Sequence, residues 1–185
     1  MRRDPSWGCA LGLLAMAACA KHATSESAPP LEETAWSPPV LAGVVTDGRF
    51  VDTRLGFSVP VPDGWRAAPA TLNDATRVVF LDPTGVVRLR IAQLPAGVSG
   101  PEPRPDCDWA FEDVGTNAFP TLAAVNLATC VPKDADGPRI LGWYAPGATP
   151  PLAFEVEAPP GRLLLAEDAM AAVLGGFSPP EPSPS

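Results

Sequence analysis

Hydrophobic and polar positions alternate along several short segments in the central part of the chain, a pattern typical of β-strands. The clearest case is a pair of segments, 77–81 and 86–92, on either side of an Asp-Pro-Thr-Gly turn. In the second segment three aliphatic side chains share one face, whereas Arg88 and Arg90 point to the other. The pattern therefore predicts a β-hairpin with one face towards a core and one towards solvent.

Further strands are predicted by the same reasoning. An Asp-Gly pair at 47–48 favours a second hairpin, between 44–46 and 49–51. The remaining predicted strands are apolar or alternating segments bounded by turn residues, at 56–59, 122–131, 139–145 and 152–158.

Two helices are predicted as well. A short one begins near Asp106, with Asp106 or Asp108 as its N-cap, and runs to residue 114. A longer one lies near the C-terminus and ends at Gly175-Gly176. Its apolar stripe consists of Ala166, Met170, Val173, Leu174 and Phe177. Together these elements predict an α+β domain, an antiparallel sheet with flanking helices including a C-terminal helix.

Proline content distinguishes this domain from the segments that precede and follow it. The chain has 25 prolines in 185 residues, far above the usual share of about 5%. Prolines cluster with Ser, Thr and Glu in residues 19–43, which predicts a flexible tether, and again in 178–185, which predicts a disordered tail. Between them, residues 44–177 are long enough to form one hydrophobic core.

The N-terminal segment has the organisation of an export signal. Two arginines precede an apolar stretch at 9–18, which is too short to cross a ~30 Å hydrocarbon layer as a helix. Residues 14–19, Leu-Ala-Met-Ala-Ala-Cys, resemble the lipobox of bacterial lipoproteins. That resemblance implies cleavage after residue 18 and attachment of diacylglycerol to Cys19. An ordinary secretory signal, or an N-terminal membrane helix that is never cut, are the alternatives.

Acyl chains on Cys19 would hold the protein at a membrane, because each buried methylene contributes about 0.8 kcal/mol. The residues after it, Ala20 and Lys21, lack the aspartate that retains enteric lipoproteins on the inner membrane. By that resemblance we expect a lipid-anchored cell-envelope protein of the outer membrane, facing the periplasm or the cell surface.

Residues 56–65, Gly-Phe-Ser-Val-Pro-Val-Pro-Asp-Gly-Trp, resemble a motif of the PsbP/Mog1-like superfamily. The resemblance implies an antiparallel sheet sandwiched between helices. That superfamily includes photosystem accessory proteins, a nuclear-transport factor and many bacterial lipoproteins, and it supplies no catalytic residues to this chain.

Two cysteines, Cys107 and Cys130, remain after the signal peptide and Cys19 are set aside. In an exported domain such a pair favours a disulfide, which would stabilise the fold by about 3 kcal/mol. The alternative is a reactive thiol, although the domain holds no histidine to lower its pKa.

Composition excludes several functions. The only histidine, His22, lies in the tether, so the domain holds no histidine for catalysis or for a histidine-based zinc site. With two lysines and a net charge of −8, the chain lacks a basic nucleic-acid face. Residues 133–137 resemble the start of a calcium loop but lack its closing glutamate. We therefore predict no metal, no cofactor and no nucleic-acid partner.

Two sets of side chains are candidates for a functional site. The first is a set of aromatic residues that would line a groove with Arg88 or Arg90, or else pack in the core: Trp65, Trp109, Trp143 and Tyr144. The second is Asp108 and Glu112, which share a face of the predicted short helix. Such carboxylates would bind a cation or act as acid and base, or else form a solvated surface.

From these observations we predict a non-catalytic envelope lipoprotein, anchored to the membrane by lipid, whose domain binds an envelope protein or a small ligand. One alternative is a hydrolase-type enzyme that uses carboxylates such as Asp108 and Glu112. A second alternative is a structural accessory of a larger envelope complex. Converging acidic side chains in a concave pocket would favour the enzyme, and an exposed apolar patch would favour the accessory.

Overall fold

A computed structural model of the chain describes residues 39–113, 121–122 and 125–181. The chain divides between Trp36 and Ser37 into two units, and all described residues belong to the second. The predicted signal peptide, Cys19 and most of the tether lie outside the described residues, as does the end of the tail. Within the described ranges, no helix is both long and apolar enough to cross a membrane.

The described residues form ten β-strands, a short 3-10 turn and one α-helix. The strands are β1 (Gly43–Thr46), β2 (Arg49–Asp52), β3 (Ser58–Pro60), β4 (Arg66–Pro69), β5 (Thr76–Leu81), β6 (Arg88–Gln93), β7 (Cys107–Asp113), β8 (Asn126–Pro132), β9 (Arg139–Ala145) and β10 (Leu152–Ala158). The 3-10 turn (Pro160–Arg162) leads into α1 (Leu163–Gly175).

The strands form two antiparallel sheets. The small sheet has the order β1-β2-β3, and the large sheet has the order β4-β5-β6-β10-β9-β8-β7. An antiparallel sheet with a C-terminal helix confirms the predicted α+β class. Flanking helices in the plural are more than the described residues show, because α1 is their only α-helix.

Local turn chemistry explains the two predicted hairpins. Between β1 and β2, Asp47 and Gly48 both have positive φ angles, 48° and 71°, as the tight turn requires. Between β5 and β6, the Asp82 carboxylate accepts hydrogen bonds from the Thr84 hydroxyl and from the amides of Val86 and Val87 at 2.8 and 2.9 Å. Burial disfavours the charged form of Asp82, but these hydrogen bonds outweigh it and lower its pKa.

The main core lies on one face of the large sheet. There α1 contacts β10, β6 and also β3 of the small sheet. Four aromatic rings form a continuous contact series across this core, with centroids about 6 Å apart: Phe50, Phe57, Phe177 and Phe154. All four are almost completely buried. Burial of one such side chain contributes roughly 1.5–3 kcal/mol, so this series stabilises the contact between helix and sheets.

A fully buried ion pair connects the two sheets. Arg77 of β5 donates from Nε to the Asp52 carboxylate of β2 at 2.7 Å, and both side chains are 0% exposed. The Arg77 Nη1 group donates to two backbone carbonyls, and Asp52 also accepts from the amides of Arg54 and Leu55. Because the charges are paired and hydrogen-bonded, their burial is tolerated.

Residues 107–113 form strand β7 and not the predicted helix. The strand pairs with β8 along its whole length, from Cys107 opposite Pro132 to Asp113 opposite Asn126. An acidic cluster that resembles a helix N-terminus is overridden here by non-local pairing and by the link to β8. The C-terminal helix is confirmed, although it begins at Leu163 and Phe177 lies beyond its end.

The margins of the domain extend slightly past the predicted limits. Ala42, which precedes β1, is completely buried, and its amide donates to the Ala70 carbonyl at 2.7 Å. At the other end, Ser178 exchanges two backbone hydrogen bonds with Ser58 of β3. Both contacts add backbone hydrogen bonds at points where the chain enters and leaves the domain.

Candidate functional site

Most of the charged residues in the strands of the large sheet lie on the side opposite α1, and we call this side the open face. Strand alternation defines this face, since side chains that are paired directly across strands lie on the same side. One cross-strand row on the open face runs Phe111, Ala128, Gly142, Glu155, Arg90, Val79. The neighbouring row runs Trp109, Cys130, Ile140, Glu157, Arg88, Leu81.

A cavity of about 390 Å³ lies over these two rows. Five charged residues line it, namely Arg88, Arg90, Arg104, Glu155 and Glu157. The apolar part of its wall comes from Val79 and Ile140. A second cavity of about 170 Å³ adjoins it and shares Arg90, Arg104, Ile140 and Glu155, with Trp109 added. The larger volume falls within the range of small-ligand sites.

The proline-rich segment between β6 and β7 forms the outer wall of the smaller cavity, through Pro101, Glu102 and Pro103. Two side chains of the sheet region hold this segment in place. Asn126 Nδ2 donates to the Ser99 carbonyl at 3.0 Å, and Lys133 Nζ donates to the Pro105 carbonyl at 2.8 Å.

The predicted disulfide is present and lies beside the cavity. It joins Cys107 of β7 to Cys130 of β8, with the two Cα atoms 5.3 Å apart. Both cysteines are buried and pack with Ile140 and Trp109, which line the cavities. The covalent link therefore supports the β7 end of the open face.

A hydrogen-bonded chain across three strands fixes the centre of the site. The Tyr144 hydroxyl donates to Glu155 Oε1 at 2.7 Å, and Arg90 donates to Glu155 Oε2 from both Nε and Nη2. Burial, followed by the charge and hydrogen bond of Glu155, raises the pKa of Tyr144 well above its ordinary value. Tyr144 therefore remains a neutral donor, and both Glu155 oxygens are occupied.

Gly142 makes this arrangement sterically feasible. A Cβ atom at this position would lie 2.5 Å from the Tyr144 hydroxyl oxygen and 2.6 Å from ring atom Cε2. The Tyr144 ring thus lies flat along the strand, over the glycine, and its hydroxyl reaches Glu155. Any larger residue at 142 would displace the ring.

The remaining cations differ in how they are paired. Arg104 donates from Nε and Nη2 to the Asp106 carboxylate, and this partner lowers the pKa of Asp106. Arg88 is exposed and stands opposite Glu157 in the sheet register. Within the described ranges neither Arg88 nor Glu157 has a side-chain ion pair or hydrogen bond.

The predicted aromatic set does not share one groove. Trp65 and Trp143 pack against the main core on the α1 side of the sheet. Tyr144 is buried in a smaller cluster of the open face, where Trp109 also packs. Trp109 lines the smaller of the two cavities together with Arg90, and the other three aromatic residues line neither of these two.

Asp108 and Glu112 do not converge. In strand β7 they are four residues apart, which corresponds to roughly 13 Å. Both are exposed, and their register places them on the face opposite the cavity. Across the described part of the chain, no group of three or more His, Cys, Asp or Glu residues is arranged to hold a metal ion.

Sequence reasoning missed Arg104, Glu155 and Glu157 as site residues. The two glutamates alternate with buried positions along β10, in the same way that Arg88 and Arg90 do along β6. That alternation was a usable signal for which face they occupy. Nothing in the sequence, however, indicated that β10 would pair with β6.

Comparison with known proteins does not identify a family for this chain. The chain matches no protein-family model and no curated protein sequence. Among solved structures it is similar to the solution structure of cyanobacterial PsbP (CyanoP) from Synechocystis sp. PCC 6803, at 13% identity and a TM-score of 0.48. The alignment covers 78% of this chain and 96% of that one. A likeness at this level carries no information about ligand or partner, and superfamily membership stays a prediction.

Proposed function

We propose that this protein is a lipid-anchored, non-catalytic envelope lipoprotein whose PsbP-like domain binds a small ligand on the open face. The observation that carries the proposal is the cavity of about 390 Å³ lined by three arginines and two glutamates. Cavities of this volume, with a few convergent polar groups, are the usual form of a ligand site.

The cavity side chains are held in fixed orientations, which supports binding. Arg90 is held by Glu155, which is held in turn by Tyr144 across neighbouring strands. A site built on strands and fixed by such hydrogen bonds loses little side-chain entropy when a ligand arrives.

The arrangement of carboxylates favours binding over hydrolysis. A pair of acid and base groups must reach the same reacting atoms. Asp108 and Glu112 are separated along an edge strand, on the face opposite the cavity. Glu155 in the cavity already accepts hydrogen bonds at both oxygens.

The membrane anchor rests on the Leu-Ala-Met-Ala-Ala-Cys motif at 14–19. Metabolic labelling with palmitate tests it, with the Cys19→Ala variant as control. We expect label in the natural chain and none in the variant. Absence of label from the natural chain would refute the anchor and leave the ligand site untouched.

Ligand binding is tested by thermal unfolding of the full chain in mild detergent, against a collection of charged and neutral small molecules. Val79→Trp is designed to fill the cavity. Val131→Trp is the matched control, because Val131 is 44% exposed on the opposite face of the sheet. We expect compounds that raise the Tm of the natural chain and the control but not of Val79→Trp. Equal responses from all three, or none, would overturn the proposal.

A further inference from the structure

We infer that the ligand is a small organic oxyanion, a carboxylate or phosphate on an apolar body, and that Arg88 is its principal contact. This inference rests on the proposed function that the open-face cavity binds a ligand. It follows from the hydrogen-bonding groups that the cavity leaves unengaged and from the apolar residues beside them.

The unengaged groups of the cavity are mainly donors. Arg90 and Arg104 each use Nε and Nη2 to bind a carboxylate, and neither uses Nη1 in any hydrogen bond between described residues. Arg88 has no side-chain partner among those residues. Glu157 is the one lining carboxylate that is not already hydrogen-bonded there. Such an excess of donors matches a ligand rich in acceptors.

Two of the three guanidinium groups are also held in fixed orientations. The Glu155 carboxylate holds Arg90, and the Asp106 carboxylate holds Arg104. An arginine fork that is already oriented binds a carboxylate or phosphate in a defined geometry. Arg88 stands two residues from Arg90 on the same strand face, and its guanidinium, which has no partner among the described residues, completes the contact.

The apolar wall implies that the oxyanion belongs to an organic molecule. Val79 and Ile140 line the larger cavity, and Trp109 lines the adjoining one. The indole Nε1 of Trp109 is buried and has no hydrogen-bond partner among the described residues. The indole ring of Trp109 therefore contributes its apolar surface, and not this inaccessible donor, to the wall of the adjoining cavity.

The net charge of −8 does not oppose local anion binding. Of the charged residues lining the larger cavity, three are arginines and two are glutamates, so the lining carries a local charge of +1. Arg90 and Glu155 balance each other, and Arg104 is paired with Asp106 outside the lining. Interactions beyond about 10 Å are largely screened at 0.1 M salt, so the distant acidic residues matter little. Binding should weaken as salt concentration rises.

The test is a calorimetric titration of the full chain in detergent with five probes, four of which share a phenyl ring. Benzoate and phenyl phosphate carry an oxyanion, benzylamine carries a cation, and benzyl alcohol is neutral. Inorganic phosphate is the fifth probe and lacks an apolar body. We expect benzoate or phenyl phosphate to bind at least tenfold more tightly than benzylamine and benzyl alcohol, and more tightly than inorganic phosphate. The ratio of benzoate to phenyl phosphate affinity separates the two oxyanion types.

Three variants test whether Arg88 contacts the oxyanion. Arg88→Gln should weaken oxyanion binding about tenfold or more, since it removes a charge-assisted contact at an exposed position. Arg88→Lys should recover only part of the loss, because a lysine lacks the bidentate fork. Arg54→Gln is the matched control: it removes the same charge at an exposed residue outside the cavity lining, and it should bind like the natural chain.

The outcomes distinguish this inference from the proposed function. Tighter binding of benzylamine or benzyl alcohol that is lost in Val79→Trp would overturn the oxyanion inference and leave the cavity as a ligand site. Oxyanion binding that Arg88→Gln and Arg54→Gln weaken equally would overturn the role of Arg88. If no probe binds and no compound of the larger collection stabilises the chain, both proposals are refuted.

Discussion

The two faces of the large sheet are built from the same strands yet have opposite character. Along β6, Leu89 and Ile91 are completely buried beneath the main core, whereas the intervening Arg88 and Arg90 are exposed on the open face. Along β10, Phe154 and Val156 are buried on one side, and Glu155 and Glu157 are half-buried on the other. One face is covered by a helix and a small sheet, and the other is bordered by a proline-rich segment and cavities.

The contrast indicates that the two faces of the sheet have different roles, one in stability and the other in binding. Apolar burial under α1 supplies the free energy that keeps the chain folded. The charges of the open face contribute little to stability because exposed ion pairs are worth at most about 1 kcal/mol. Those charges are therefore available for binding, and substitutions should separate the two roles.

The largest expected effect is on the covered side, at the buried ion pair. Arg77→Met would leave Asp52 as an unpaired buried charge, which costs about 3–5 kcal/mol in the free energy of unfolding. Chemical denaturation measures this loss. The double variant with Asp52→Asn should recover part of it, since no buried charge then remains unpaired. A loss below about 1 kcal/mol would contradict the assigned burial.

The next effect concerns the β7 end of the open face. Replacing both Cys107 and Cys130 with alanine removes a cross-link between residues 23 apart, and we expect a loss of about 3 kcal/mol. Denaturation with and without reductant measures it. The natural chain should lose the same amount in reductant, and the double variant should not respond. A double variant that still responds to reductant would show that another thiol is involved.

A smaller effect should appear at the centre of the open face. Gly142→Ala places a methyl group against the Tyr144 ring, and we expect overpacking to cost about 2 kcal/mol. Tyr144→Phe keeps the ring but removes the hydrogen bond to Glu155, and it should cost about 1 kcal/mol.

Both of these variants should also weaken benzoate binding, because Glu155 would orient Arg90 less firmly. Titration of benzoate against each variant measures this second effect. If Gly142→Ala altered stability without altering binding, the hydrogen bonds that connect Tyr144, Glu155 and Arg90 would have no role in ligand binding.

The smallest effect should come from Asp82, in the turn between β5 and β6. The pKa of Asp82 is lowered below its ordinary value of 3.8 in the folded protein. Its charged form therefore adds stability above the pKa of the unfolded chain, and this increment disappears as the pH falls through the lowered folded pKa.

We expect Asp82→Asn to reduce stability at pH 7 by about 1 kcal/mol or less, since an amide oxygen accepts some of the same hydrogen bonds. Denaturation at a series of pH values from 7 to 2 measures the difference between the natural chain and the variant. That difference should shrink at the acid end. A difference that grows on acidification would reverse the assigned direction.

Local signals in the sequence were sufficient for much of the fold. Turn residues at 47–48 and 82–85 specify hairpins between neighbouring strands, and the sequence boundaries of β9 and β10 coincide with the structure. β4 was missed because Arg-Ala-Ala-Pro has little strand propensity, and it forms only as an edge strand beside β5.

Strand β7 illustrates how a local signal fails. Asp106 and Asp108 look like helix caps, but the following residues pair with β8 across a non-local connection that also carries the disulfide. A cap contributes about 1 kcal/mol, whereas a full strand pairing plus a cross-link contributes several times more. The tertiary contacts therefore decide the conformation of this segment.

The amino-acid sequence by itself determined the hairpins, the helix, the cysteine pair and the side of the strand on which Arg88 and Arg90 lie, because each depends on turn chemistry or alternation within a few residues. The tertiary structure alone decided that Glu155 would stand opposite Arg90, 65 residues away, and that Arg104 would join them at one cavity. The physical reason is that strand pairing across the sheet depends on how the whole core packs, and no short segment of sequence specifies that packing.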